Sequence, residues 1–277
     1  MPELPEVETV RIGLEKNVLG WEIEKVEVLH PRGAANWSIA PLPQLKDHKI
    51  KAINRRGKFL YFDLGAPYFL VAHLGMSGQF LIDSQNAKHL RVAFHLKKGK
   101  KRKLLGFHDQ RTFGWCGLST EVNGIPEKVS NIAIDLFDPN FDFKITAQKI
   151  QLRKAAIKQI ILNQNIVSGI GNIYADESLW LSKIHPETPA CLLSTAEINK
   201  LLRNAKQIME RALKAGGTSF DALYINVNGE SGYFAVKLNA YGRKGEPCRK
   251  CGELIIALEF GNRHSHICPN CQRPKTI

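Results

Sequence analysis

The sequence predicts an α+β multidomain chain in three parts: an N-terminal antiparallel β-sandwich, a helical segment and a metal-bearing hairpin at the C-terminal end. Three observations carry this. From Ile23 to Leu118, short runs rich in branched and aromatic residues recur about every ten residues, with Gly and Pro between them. Around Asp138 to Phe143 the apolar period changes from that of strands to that of helices. Four cysteines then follow in two close pairs, Cys248-x2-Cys251 and Cys268-x2-Cys271.

The elements can be justified in order. A helix precedes the sandwich: Pro5 suits a first helical position and Glu6 and Glu8 a first turn, while Val7, Val10, Leu14 and Val18 share a face and Gly20 marks the stop. The strand runs are Phe59 to Leu64, Phe69 to Leu74, Gly78 to Ile82 and Leu90 to Leu96. Lys97 to Lys103, around Gly99, reads as a solvated hairpin tip. Ile150 to Leu162 reads as one helix and Ser194 to Ala215 as another. In the second, Ser194 and Glu197 form a capping box, Ile198, Leu201, Leu202, Ala205, Ile208, Met209, Ala212 and Leu213 make the apolar face, and Gly216 and Gly217 end it. Between the cysteine pairs, the strand Leu254 to Phe260 and a turn at Gly261-Asn262 make the hairpin.

Composition narrows the class. A chain of 277 residues with 44% hydrophobic content has material for one large or two ordinary domains. It shows no secretory leader and no long apolar span, which leads to the expectation of a soluble, cytoplasmic, nucleoid-associated protein. The formal charge of +13, from 39 basic and 26 acidic residues, favours a polyanionic partner, with nucleic acid first. The basic residues gather at Arg55, Arg56 and Lys58, at Arg153, Lys154 and Lys158, and in the tail.

The cysteine pairs stand sixteen residues apart, the spacing of a four-thiolate zinc site. Four sulfur ligands leave no open position for water, so one structural Zn2+ held by Cys248, Cys251, Cys268 and Cys271 is expected. Cys116 and Cys191 have no pairing pattern, which fits a reducing compartment and small buried apolar roles.

Pro2 carries the most chemistry. If Met1 is removed, Pro2 becomes a secondary amine, and an α-amino group of pKa roughly 7.7 to 8.0 is in part neutral and nucleophilic near pH 7. Such an amine can attack an electrophilic carbon and form an iminium. The helix N-terminus that follows disfavours its ammonium form, while Glu3 favours that form and supplies a carboxyl for acid or base work.

Five separated segments, Met1-Pro-Glu-Leu-Pro-Glu-Val-Glu8, Arg55-Arg-Gly-Lys-Phe-Leu60, His73-Leu-Gly-Met-Ser-Gly78, Gly169-Ile-Gly-Asn-Ile-Tyr-Ala-Asp-Glu177 and Tyr241-Gly-Arg-Lys-Gly-Glu-Pro-Cys248, occur in an order that resembles formamidopyrimidine-DNA glycosylases. The resemblance runs almost the whole chain. It implies a β-sandwich domain with an N-terminal helix (1–137), a helix-two-turns-helix DNA-binding domain (138–240) and a zinc-finger β-hairpin (241–277), with damaged double-stranded DNA in the cleft between and a monomeric protein.

The resemblance also implies roles. Pro2 attacks the anomeric carbon of the damaged nucleotide, Glu3 helps to open the sugar, Lys58 contacts phosphate or acts as the acid for elimination, and Arg263 serves the second elimination. Met76, Arg111 and Phe113 fill the void left by the extruded base. His89, Arg111, Lys154, Lys158, Asn172 and Tyr241 contact DNA. Some positions depart from the family pattern: Asp109-Gln-Arg-Thr-Phe113 replaces Asp-Pro-Arg-Arg-Phe, Lys88-His-Leu-Arg91 replaces Lys-His-Asp-His, Leu136-Phe-Asp-Pro139 replaces Gly-Pro-Glu-Pro, and Gln159 stands where proline is frequent.

The expected activity is that of a bifunctional DNA glycosylase and abasic-site lyase of base excision repair, acting on 8-oxoguanine and formamidopyrimidines and cutting the strand by β,δ-elimination. The alternatives are the sister endonuclease family that removes oxidised pyrimidines, and a zinc-dependent DNA-binding protein without catalysis.

Overall fold

The computed structural model describes residues 2–65, 67–84, 88–216 and 238–275; Met1 and Gly217, which enter the sequence reading, lie outside them. The chain divides into two compact units, one centred on Met1–Asn131 and the other on Ile132–Lys214 with the C-terminal segment.

The first unit opens with α1 (Leu4–Val18), where Glu3 is the N-cap and Glu6 closes a capping box by accepting the Glu3 N–H at 2.8 Å. Two four-stranded antiparallel sheets follow. One has β1 (Glu22–Val28), β6 (Leu90–Lys98), β7 (Lys101–Asp109) and β5 (Gly78–Ile82) in that order; the other has β2 (Ala52–Arg56), β3 (Phe59–Asp63), β4 (Phe69–His73) and β8 (Trp115–Ser119). A small hairpin of β9 (Glu121–Val122) and β10 (Ile125–Pro126) stands apart from them.

The strands turn one face inward, so Phe94, Phe107 and Phe80 of the first sheet meet Leu60, Phe62, Leu70 and Leu118 of the second in a single core. Val7, Val10, Leu14 and Val18 of α1 join it. The Phe62 and Phe80 rings meet across the sheets at 5.8 Å. The expected sandwich, its four named strands and the lysine-rich tip, turned at Gly99 with φ +59°, are all present.

The second unit contains α2 (Phe143–Gln151), α3 (Ile157–Leu162), α4 (Asn172–Ser182) and α5 (Thr195–Lys214), then β11 (Ile256–Phe260) paired with β12 (Arg263–Ile267). The long helix α5 follows the sequence closely. Ser194 Oγ accepts the Glu197 N–H, the Ser194 N–H returns to Glu197, and the expected apolar face is buried from Ile198 to Ala212. Gly216, at φ +82°, lies just beyond its end.

The single helix expected from Ile150 to Leu162 is corrected: it is two helices with a break between them. Backbone groups of Arg153, Ala155, Ile157 and Lys158 bond to Cys191, Ala190, Thr188 and Pro186, so a distant segment takes the partners that a continuous helix would need. Among the described residues no helix is long and apolar enough to cross a membrane.

Candidate active site and metal centre

In the first unit, the N-terminal helix and the β2–β3 turn carry the proposed chemistry. Pro2 is buried, and Glu3, at the N-terminus of α1, is only 2% exposed. Lys58 follows Gly57, whose φ of +56° lets the turn close, and is 6% exposed. Burying an acid and an amine is costly unless they are partnered, and such groups gather at functional sites.

The two elements are tied together by charge. Arg55 Nε donates to Glu8 Oε2 of α1 at 2.9 Å while its Nη1 donates to the Gly57 carbonyl, also at 2.9 Å. Arg11 bridges Glu8, Glu15 and the Ile53 carbonyl. The helix that begins at Glu3 is thereby fixed against the turn that presents Lys58.

His73, at the end of β4, was not singled out as a site residue from the sequence. Burial, and secondarily the charge of Lys58, lower its pKa to about 4, so it stays neutral and accepts the Gly75 N–H on Nδ1. Its place at the head of His73-Leu-Gly-Met-Ser-Gly78 was the available signal.

Three side chains stand out at the surface of this unit. Phe113 is 60% exposed, and Met76 and Arg111 are also exposed. Large apolar groups held out on short loops are what a wedge requires. His89 is half-buried with φ +63°, and its carbonyl accepts the Asp109 N–H.

In the second unit, Lys158, Asn172 and Tyr241 come together around the hairpin. Lys158 is 0% exposed. Its ammonium donates to Asp176 Oδ1 at 2.7 Å, Ser265 Oγ at 2.5 Å and the His264 carbonyl at 3.3 Å, and it lies 5.2 Å from the centre of the Phe260 ring. Asn172 Nδ2 donates to the same His264 carbonyl, whereas Asn172 Oδ1 is buried without a hydrogen-bond partner. Asp176 also accepts the His266 N–H at 2.8 Å, and the Tyr241 ring packs edge-on to His266.

Glu177 accepts the N–H groups of Asn239, Ala240 and Tyr241 and so fixes the segment leading to the hairpin. Asp176 and Glu177 end the Gly-Asn-Ile-Tyr segment, but sequence alone gave no hint of what they hold. Arg263 is exposed at the start of β12, next to an open cavity of about 640 Å³ lined by Gln159, Asn163, Glu187, Phe260 and Asn262. Lys154 is exposed between α2 and α3.

The Sγ atoms of Cys248, Cys251, Cys268 and Cys271 all lie within 4.8 Å of one another, with Cys251 at 3.4 Å from Cys268. A tetrahedral site with Zn–S bonds of about 2.3 Å has edges of about 3.8 Å, so the cluster fits one structural zinc. Burial works against the Cys248 thiolate, but the Lys250 N–H and the Trp180 indole at 3.3 Å outweigh it and lower the pKa to about 6, the form a metal takes. Cys116 is fully buried in the sandwich core, where burial pushes its thiol pKa up, but the buried role expected for Cys191 is corrected: it is exposed, on the segment whose N–H bonds to the Arg153 carbonyl.

Comparison with known proteins agrees with this arrangement segment by segment. Residues 1–116 match the formamidopyrimidine-DNA glycosylase N-terminal domain, 132–223 the formamidopyrimidine-DNA glycosylase H2TH domain, and 245–274 a zinc finger found in FPG and IleRS. A formamidopyrimidine-DNA glycosylase of Corynebacterium glutamicum is 51% identical over 99% of both chains, and one of Streptomyces coelicolor is 44% identical over 100% of this chain and 99% of its own. A Lactococcus lactis FPG mutant solved with Fapy-dG-containing DNA superposes with a TM-score of 0.84 at 34% identity, over 98% of this chain and 100% of that one. MutM solved with carbocyclic 8-oxo-G-containing DNA gives 0.83, also at 34% identity and with the same coverage. With its sandwich, its helical segment and its four-cysteine hairpin each matched in order, the chain belongs to the formamidopyrimidine-DNA glycosylase family.

Proposed function

We propose that this protein excises oxidised purines, 8-oxoguanine and formamidopyrimidines, from damaged duplex DNA in base excision repair, and then cleaves the strand as an abasic-site lyase. The observation that carries the reading is the burial of Pro2 and Glu3 at a helix N-terminus and of Lys58 on the turn that Arg55 ties to that helix. With Met1 removed, the Pro2 nitrogen attacks C1′ of the extruded nucleotide, the base leaves with its bonding pair, and an iminium to the opened sugar remains. Glu3 delivers a proton to the sugar ring oxygen as that C–O bond breaks. Loss of a proton from C2′ expels the 3′ phosphate, and a second elimination expels the 5′ phosphate, with Lys58 and Arg263 in acid or phosphate-holding roles.

The proposed void fillers are Met76, Arg111 and Phe113. His89, Arg111, Lys154, Lys158, Asn172 and Tyr241 are proposed to hold DNA, Lys158 by fixing the hairpin, since its ammonium is engaged within the protein. The division proposed at 1–137, 138–240 and 241–277 is supported, in the number and order of its parts, by the three consecutive family matches. The zinc orders the hairpin that presents Arg263.

Borohydride reduction during reaction with an 8-oxoguanine:cytosine duplex should trap the protein covalently through Pro2, and a form that retains Met1 should not be trapped. Equal trapping of both forms would remove Pro2 as the nucleophile. Matched duplexes carrying an oxidised pyrimidine separate the sister activity, and binding without strand cleavage would identify a non-catalytic protein.

A further inference from the structure

Asp109 is a buried carboxylate, 1% exposed, for which the proposed chemistry has no use. It ends β7, and Ser77, Arg111 and Gly114, which donate to its carboxylate, all belong to the two loops that carry wedge residues. Oδ1 accepts the Ser77 hydroxyl at 2.5 Å and the Arg111 N–H at 3.2 Å, and Oδ2 accepts the Gly114 N–H at 2.6 Å. Ser77 Oγ in turn accepts the Arg111 N–H at 3.0 Å. Asp109 donates its own N–H to the His89 carbonyl, and its carbonyl accepts Arg91 Nε at 2.7 Å.

Ser77 follows Met76, and Arg111 and Gly114 bracket Thr112 and Phe113. The two loops also touch through backbone: a Cβ added at Gly75, φ +60°, would lie 2.5 Å from Gly114 N and from Phe113 C. Thr112 has φ +56°, an unfavourable conformation for a β-branched residue that the surrounding bonds must hold in place.

We propose that Asp109 is a positioning residue for the lesion wedge: one carboxylate latches the Met76 loop to the Arg111–Phe113 loop, so the three exposed side chains enter DNA as a single rigid unit. The latch governs extrusion of the damaged base and leaves the covalent chemistry at Pro2 untouched. It rests on the reading of Met76, Arg111 and Phe113 as void fillers.

Asp109→Asn tests it, because the change keeps size and one acceptor but, in either orientation of the amide, sets its NH2 against one of the two backbone donors, the Gly114 N–H or the Arg111 N–H. Excision of 8-oxoguanine should fall by about 10- to 100-fold, the effect of losing a hydrogen bond to a charged group. Cleavage of a preformed abasic site, which needs no base extruded, should fall by less than about 3-fold. Ser77→Ala removes one latch donor without removing a charge and should show the same split at smaller size; if Asp109→Asn does not fold, this variant decides.

Equal loss on both substrates, or no loss on either, in a variant with an unchanged unfolding midpoint would overturn the latch. Phe113→Ala separates the two ideas. If Phe113→Ala retains full excision, the void-filling reading fails and the latch with it; if Phe113→Ala loses excision while Asp109→Asn does not, only the latch fails.

Discussion

Lys158 and Asp176 form an ion pair with side chains 0% and 1% exposed, and their separation should be one of the more damaging changes available in the second unit. At 2.7 Å the gross attraction is about 6 kcal/mol for an effective dielectric constant of about 20, most of it cancelled by the cost of taking two charges out of water. Breaking such a pair from one side costs about 3 to 5 kcal/mol, because the abandoned charge stays buried. In Lys158→Met the abandoned carboxylate keeps the His266 N–H at 2.8 Å, His266 Nδ1 at 3.2 Å and Ser265 Oγ at 3.4 Å. A loss near 3 kcal/mol is therefore expected, the low end of that range. Asp176→Asn removes the carboxylate from a buried ammonium that keeps Ser265 Oγ and the His264 carbonyl, and should also cost about 3 to 5 kcal/mol. The double variant should be destabilised by about 2 kcal/mol less than the sum. Guanidinium unfolding of the zinc-loaded protein, followed by zinc release, measures all three. A loss under about 1 kcal/mol in Lys158→Met, with simple additivity in the double variant, would refute the argument.

Three other outcomes are expected. Because His73 has a folded pKa of about 4 against an ordinary value of 6.5, the unfolded chain binds the extra proton between those values; the associated stability is present above pH 6.5 and lost as pH falls through 4, by about 3 kcal/mol in total. Removing the imidazole in His73→Asn should flatten that part of the stability curve, and an unchanged curve would show that the histidine does not titrate there. Chelation of zinc should abolish DNA cleavage by unfolding the hairpin, and Arg263→Ala with zinc retained should reduce cleavage while sparing the fold; full activity in Arg263→Ala would leave the hairpin a purely structural part. With a formal charge of +13 the protein should lose DNA affinity by orders of magnitude between about 50 and 200 mM salt in a filter-binding titration, and a flat response would argue against extensive phosphate contact.

What the sequence revealed was whatever is written in local periodicity and spacing. The α1 face of Val7, Val10, Leu14 and Val18, the capping box of Ser194 and Glu197, the strand runs and the cysteine pairs all have short-range signatures, and all are present. The break between α2 and α3 had no such signature, because it is made by hydrogen bonds from Arg153 to Lys158 onto a segment some thirty residues away. The same holds for the site. Pro2, Glu3 and Lys58 could be named as candidates from motif and chemistry, but the burial of Lys158, the neutral state of His73 and the grip of Glu177 on three successive N–H groups arise only when distant segments pack. Basic composition pointed to a polyanion without distinguishing a cation at the surface from one engaged inside.

The hairpin is gripped through its main chain. Lys158 and Asn172 both donate to the carbonyl oxygen of His264, and Asp176 accepts the N–H of His266, so these three fastenings on β12 are all to peptide atoms shared by every amino acid. The His264 side chain is exposed, and its backbone does not have the positive φ that would call for glycine; that conformation falls on Gly261 instead. A fastening of this kind cannot sense which side chain it carries. Position 264, beside Arg263, can therefore drift in size, charge and polarity without loosening the strand, which makes it a place where lineages could retune contact with a substrate and where a spectroscopic reporter could be attached.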